Sequence, residues 1–243
     1  MRKILGCIKK ADKDYQMIED GDCIAVGVSG GKDSMLLLYA LFLYQQMKIK
    51  DFDLIGIHIN MGFPNMDFTE ADVFFKENNI TLHHEDSQIY EILKLNAEED
   101  GRLKCSLCSK FKKASVIEAA KKYQCNKVAF AHHADDAIET LLMNAIFGGR
   151  LSTFKPNMYM DRTDTTFIRP FVYVFESDII NACHHTSLPI VATTCPMDGH
   201  TKRQEAKELL WGLYEQYPMA KQNFLKMLHN QEKLALWMKA VDK

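Results

Sequence analysis

The sequence predicts an α/β fold built on a parallel sheet. Apolar runs of strand length alternate with segments of helical period, the pattern of parallel strands joined by crossover helices. A glycine-containing turn at residues 29–34 also falls between the first such run and the first such helix. In chain order, residues 23–29, 53–60, 81–87 and 127–133 read as strands, the first two rich in Val and Ile. Residues 33–47, 69–78 and 109–123 read as the helices around them. A further helix starts at Asp135 and stops before Gly148-Gly149, since glycine accepts the left-handed backbone that ends a helix. Residues 156–171 hold the polar centre Asp161-Arg162-Thr163-Asp164 between two extended stretches, a hairpin feeding an edge strand. A short strand is expected at 189–192, and the remainder from about residue 200 is expected to be helical. The organisation is therefore an N-terminal segment at 1–21, one catalytic domain at 22–199 and a helical C-terminal extension at 200–243.

A composition of 47% hydrophobic and 26% charged residues excludes disordered, collagen-like and coiled-coil classes. No apolar run reaches the roughly 18 residues that span a bilayer, and no continuous apolar region follows Met1-Arg2-Lys3. A soluble cytoplasmic protein with no membrane partner is expected. The net charge of −2 means that attraction to nucleic acid must come from a local patch. Residues 101–127 offer one, with eight Lys or Arg against Glu118 alone, which makes this stretch +7 and the rest of the chain −9. A solvated helix face is the bland explanation of such a run. Its adjacency to a cysteine pair points instead to a surface facing a polyanion. Seven unevenly spaced cysteines argue for reduced thiols or metal ligands over a disulfide framework.

Three motifs carry chemistry. In Ser29-Gly30-Gly31-Lys32-Asp33-Ser34, a strand, a glycine turn and a helix start aim backbone N–H groups and the positive dipole end at one point, which suits a phosphate. Lys32 adds a mobile charge, Ser29 and Ser34 add hydroxyls, and the spacing is not that of G-x-x-x-x-G-K-[ST]. In His132-His133-Ala134-Asp135-Asp136, carboxylates at a strand's C-terminal end can hold Mg²⁺, although Asp135 reads more simply as a helix cap. In Cys105-Ser106-Leu107-Cys108, two thiolates at a loop-to-helix junction can bind a cluster or zinc, or cycle as a redox pair. Cys195 stands in a loop, whereas Cys7, Cys23, Cys125 and Cys183 read as core residues. His58, near the end of the second strand, reads on side-chain grounds as packing.

The SGGKDS loop resembles that of the PP-loop ATP pyrophosphatase superfamily. With CSLC, HHxDD, FGGR, IRP and the late Cys195, the sequence is similar to the tRNA 2-thiocytidine synthetase family from about Asp22 to Leu210. The resemblance implies a PP-loop fold in which residues 29–34 hold the pyrophosphate end of ATP and the strand containing His58 grips adenine. It implies Mg²⁺ and a 4Fe-4S cluster held by Cys105, Cys108 and Cys195, with one iron open to carry sulfur. A zinc alternative needs a fourth ligand such as His200. Lys112 and Asp136 match positions that assist the chemistry, and Arg169 and Arg203 match positions suited to phosphate or tRNA contact. The implied reaction is adenylation and then thiolation of a tRNA base, with tRNA and a persulfide carrier or sulfide as partners, in a possible homodimer. Relatives that thiolate a T-loop uridine carry paired-cysteine zinc modules that are absent here, which favours cytidine in the anticodon loop. The rival readings are a lysidine synthetase-like tRNA modifier and a non-catalytic metal- and nucleotide-binding sensor.

Overall fold

The computed structural model describes residues 1–99, 101–195, 202–230 and 232. Contacts divide the chain into two units, residues 1–136 with 154–201, and residues 137–153 with 202–243.

The first unit holds the sheet. Its elements are α1 (Arg2–Tyr15), β1 (Asp22–Val28), α2 (Lys32–Gln46), β2 (Phe52–Asn60), α3 (Thr69–Glu77), β3 (Leu82–Asp86), α4 (Ile89–Leu95), α5 (Cys105–Lys122), β4 (Lys127–Ala129), the start of α6 (Ala134–Gly148), β5 (Asn157–Met160), β6 (Thr165–Ile168) and α7 (Glu176–Thr186). The strand order is β3-β2-β1-β4-β6-β5, parallel throughout except for the antiparallel pair of β5 with β6. The chain runs outward from β1 through β2 to β3, then crosses back to place β4 on the other side of β1. The crevice beyond the C-terminal ends of β1 and β4 is thus the topological switch point, where open α/β sheets bind ligands.

Alternation along the strands builds a core on each face. Ile24, Val26 and Val28 of β1 pack with Ile4, Ile8 and Ala11 of α1 and with α2, while Ala25 faces Val116, Ala119 and Ala120 of α5. Met35, Leu36, Leu37, Leu38, Ala40, Leu41 and Tyr44 of α2 are all buried, as an all-round apolar helix requires. α1 and α7 were not read from the sequence, because each buries only a narrow stripe: Ile4, Ile8 and Ala11 in one, Ile179, Ala182 and Cys183 in the other.

The hairpin and its edge strand form as expected. Three local readings are corrected. β4 ends at Ala129 instead of residue 133, because the chain turns there to cap α6. α5 begins at Cys105 instead of residue 109, so the cysteine pair occupies its first turn. Residues 189–192 form no strand; a single backbone bond from Val191 N–H to the Gly30 carbonyl, 3.0 Å, lays this segment along the 29–34 loop.

In the second unit α6 stops at Gly148, and Gly149 takes φ +57°, as the Gly-Gly signal predicts. The C-terminal part contains α8 (Lys202–Gln216) and α9 (Ala220–Leu228). Arg203 lies 4.0 Å from the Glu139 carboxylate, and Lys202 sits over the Phe147 ring. His200 lies outside the described residues. Among the described residues no helix is long and apolar enough to cross a membrane.

Candidate nucleotide and cysteine site

The loop after β1 is fixed from within. Gly30 takes φ +89°, and a Cβ there would lie 2.8 Å from the Val191 Cβ and 3.0 Å from Phe68 Cζ, so both backbone freedom and space demand glycine. Ser34 Oγ accepts from Ser29 N–H at 3.0 Å and donates to the Gly31 carbonyl at 3.0 Å, folding the loop over the start of α2. No side chain caps that helix, so its first-turn N–H groups remain available as donors. They form, with Lys32, a cationic cradle for phosphate.

The Lys32 ammonium lies 3.2 Å from Asp33 and 3.1 Å from Glu176. Burial opposes its charge, but the two carboxylates outweigh that cost and push its pKa up. Sequence reasoning missed Glu176; its only local signal is an acid in the first turn of α7. Asp33 Oδ1 is buried with no hydrogen-bond partner, and His133 Nε2 stands 3.9 Å away. An orphaned carboxylate oxygen beside a phosphate cradle fits a Mg²⁺ ion shared with nucleotide phosphates, since Mg²⁺ usually takes only one or two protein carboxylates.

The segment after β4 makes a reciprocal cap. His133 N–H donates to Asp136 Oδ2 at 2.9 Å, and Asp136 N–H donates to His133 Nδ1 at 3.3 Å, a capping box in which histidine replaces the usual Ser or Thr. Asp135, expected to cap its own helix, instead accepts Glu176 N–H at 2.8 Å and so caps α7. Ala134 N–H bonds the Val174 carbonyl at 2.9 Å. These bonds fasten the carboxylate cluster to the segment that carries the Lys32 partner.

Cys105 is exposed, and Cys108 and Cys195 are half-buried; all are free thiols. Cys108 lies within electrostatic range of Cys105, Cys195 and Lys112. Burial pushes the Cys108 thiol up, Lys112 pulls it down, and the neighbouring Cys195 and Cys105 raise it. Burial pushes the Lys112 ammonium down, and Cys108 and Cys195 raise it. Among the described residues no three His, Cys, Asp or Glu side chains are drawn together as for a single metal ion. Three free thiols are a donor set that fits a four-iron cluster, which takes one thiolate per iron. His58 is buried, with Nδ1 3.0 Å from the Val28 carbonyl and its ring 3.9 Å from that of Phe68. Burial lowers its pKa to about 4.

The profile of the PP-loop domain family matches residues 4–203. Curated relatives named tRNA-cytidine(32) 2-sulfurtransferase include those of Geotalea uraniireducens, 37% identical over 94% of this chain and 91% of the relative, and Geobacter metallireducens, 38% identical over 94% and 90%. The chain belongs to the tRNA-cytidine(32) 2-sulfurtransferase family. Among solved structures, the U34-tRNA thiolase NcsA from Methanococcus maripaludis with its [4Fe-4S] cluster superposes with a TM-score of 0.73 at 22% identity, covering 96% of this chain and 80% of that one. The NH3-dependent NAD synthetase of Campylobacter jejuni gives 0.51 at 16% identity, covering 98% and 99%. These two likenesses show the PP-loop fold.

In this chain the basic stretch is less uniform than its sequence suggests. Lys127, counted within the patch, is turned inside and paired with Asp22 at 2.7 Å and the Met17 carbonyl at 3.0 Å. It lies on the central strand β4, where no solvent-facing position exists. Lys122 is paired with Glu85 at 2.7 Å, and Lys113 covers the Phe167 ring at 4.5 Å. Lys104, Lys110 and Lys121 remain exposed. The paired histidines His83-His84 are structural, one stacked on Tyr123 at 3.9 Å and the other 2.8 Å from Asp72. Cys23 and Cys125 meet as thiols with their sulfurs 2.8 Å apart.

Proposed function

We propose that the chain is an ATP-dependent tRNA sulfurtransferase that converts a cytidine of the anticodon loop, position 32 by the names of its relatives, to 2-thiocytidine. The observation that carries this reading is the meeting of Cys108, Cys195 and Lys112 within electrostatic range, in a chain whose phosphate cradle lies at the sheet's switch point. In this reading the SGGKDS loop binds the pyrophosphate portion of ATP. The N–H groups of α2 and the Lys32 ammonium neutralise charge as pyrophosphate leaves and AMP becomes attached to the base oxygen. Asp33 offers its orphaned oxygen to Mg²⁺. His58 lines β2 as a neutral packing group, and the adenine grip belongs to that strand's backbone.

Cys105, Cys108 and Cys195 would hold a 4Fe-4S cluster. When bound, that cluster supplies an exchangeable iron position at which sulfur can be carried to the activated carbon. Lys112, one helical turn after Cys108, is a half-buried cation whose depressed pKa suits it to hold or release a proton near the thiolates. In this reading Asp136 orients the activated base or accepts its proton. Exposed Lys104, Lys110 and Lys121 contribute to the tRNA-facing surface. The sulfur donor in this reading is sulfide or a persulfide carrier, the setting is the cytoplasm, and the family resemblance extends to a homodimer.

The test is anaerobic purification with iron and sulfide analysis, combined with mass spectrometry of nucleosides from tRNA treated with ATP and sulfide. Each of Cys105→Ala, Cys108→Ala and Cys195→Ala is expected to lose visible absorbance and thiolation while binding ATP as before. Undiminished thiolation by Cys195→Ala, or by protein holding zinc and no iron, would overturn the reading. A lysidine synthetase-like modifier would be indifferent to all three substitutions.

A further inference from the structure

Cys23 and Cys125 lie 102 residues apart in sequence, yet their sulfurs are 2.8 Å from one another. Cys23 is the second residue of β1, and Cys125 follows the end of α5, two residues before β4. β1 and β4 run parallel with Ile24 opposite Lys127, so the thiols stand at the amino edge of the two strands that lead to the 29–34 loop and the His132–Asp136 segment. The backbone on both sides is pinned. Cys23 N–H donates to the Asn126 side-chain carbonyl at 2.9 Å, and Asn126 N–H donates back to the Cys23 carbonyl at 3.1 Å. Asn126 Nδ2 also donates to Asp22 at 2.8 Å, and Cys125 N–H donates to the Ala120 carbonyl at 2.8 Å as α5 ends. The two thiols cannot separate without breaking these bonds.

Place and surroundings set this pair apart from the site cysteines. Cys105 and Cys108 open α5 whereas Cys125 follows it, and the 18 residues of that helix span about 27 Å. Cys125 is 5% exposed in the core that β1 shares with α5, and Cys23 packs beside it, partly exposed. An oxidant therefore meets Cys23 first. Burial and the hydrogen bond with Cys23 push the Cys125 thiol up, which disfavours it as the attacking group. A disulfide holds its sulfurs about 2.05 Å apart, so the bond needs less than about 1 Å of further approach.

We propose that Cys23 and Cys125 are a thiol-oxidation site, which a low-molecular-weight disulfide converts to a reversible internal disulfide locking β1 to the turn between α5 and β4. The Cys23 sulfur attacks the small disulfide, gives up its proton and releases one small thiol, leaving a mixed disulfide. Cys125 then attacks the Cys23 sulfur and releases the second small thiol. Two protein thiols are oxidised, one small disulfide is reduced to two thiols, and the two protons leave on them. The ring closed in this way runs from residue 23 to residue 125 and contains the 29–34 loop, β2 and the Cys105-Cys108 pair, so it restricts the unfolded chain across much of the site. In a thiol-rich compartment such a bond is transient and follows the redox state. The site requires neither nucleotide, cluster nor tRNA, so it stands whether or not the proposed function does.

The test incubates the full chain, reduced beforehand, with glutathione disulfide and glutathione at graded ratios, blocks the remaining thiols by alkylation and maps disulfides by peptide mass spectrometry. A peptide pair linked through Cys23 and Cys125 is expected, and dithiothreitol should reverse it. The oxidised wild-type chain should melt roughly 10 °C above the reduced one, whereas Cys23→Ala should show no such rise. Any bond between Cys105 and Cys108 forms in both chains and so cancels. Cys125→Ala, which lacks the second sulfur, should retain glutathione on Cys23; if that variant does not fold, Cys23→Ala, altered at a partly exposed position, decides through the Tm comparison. Four results overturn the proposal: both residues recovered alkylated at the most oxidising ratio, a wild-type chain that keeps glutathione on Cys23 with no linked peptide, a folded Cys125→Ala that takes none there, or a linked peptide with unchanged Tm.

Discussion

At the scale of single residues, charge balance separates the groups that act from those that hold. Lys32 is an ammonium kept charged by Asp33 and Glu176 at 3.2 and 3.1 Å, so Lys32→Ala removes the one mobile cation of the phosphate cradle and leaves two carboxylates facing the incoming anion. ATP affinity is expected to fall at least tenfold, by roughly the 1.5–3 kcal/mol of a charged hydrogen bond. Calorimetric titration with ATP checks this, and unchanged affinity would remove Lys32 from the site. His58 behaves in the opposite way. Burial holds its pKa at about 4 against an ordinary 6.5, so the native ring stays neutral while the unfolded one takes up a proton as pH falls. Its contribution is therefore complete above pH 6.5 and is lost progressively between 6.5 and 4, up to about 3 kcal/mol in all. Denaturant titrations across that window should show a shallower loss in His58→Leu than in the wild-type chain. An identical slope would mean that other groups control the acid response.

At the scale of elements, the starts of α5 and α6 hold candidate site residues, and each has a structural duty that must be separated from the proposed chemistry. α6 is capped by the reciprocal bonds of His133 and Asp136, so Asp136 serves as both a helix cap and a candidate catalytic carboxylate. The two roles part on substitution. Asp136→Ala should cost about 1 kcal/mol of stability through the lost cap, whereas Asp136→Asn keeps an acceptor for His133 N–H and should stay within about 0.5 kcal/mol of the native value. Thiolation is expected to collapse in both. A fully active Asp136→Asn variant would leave the residue a cap only. The cysteine pair shows the same economy: Cys105 and Cys108 open α5, one turn apart, and Lys112 follows one turn later, so the helix period alone brings thiol and ammonium to one side.

At the scale of the whole molecule, the basic stretch at 101–127 is divided by the fold. Lys127 goes to the sheet interior and Lys122 to Glu85, which leaves Lys110 and Lys121 among the exposed cations. Replacing both by Glu should weaken tRNA binding and flatten its dependence on salt, whereas Lys122→Ala should change little; filter binding at several ionic strengths distinguishes them. Equal affinity in the doubly reversed variant would return the stretch to a solvated helix face. The sequence alone determined the alternation of strands and helices, the glycine loop after β1 and the Gly-Gly stop of α6, because each rests on local periodicity or on backbone freedom. It could not give Glu176 as the partner of Lys32, the service of Asp135 to α7 instead of to its own helix, or the burial of Lys127. Those outcomes depend on which elements become neighbours when the chain crosses from β3 back to β4, and the electrostatic cost or benefit of a charged side chain is set by what packs against it, which no local stretch of residues contains.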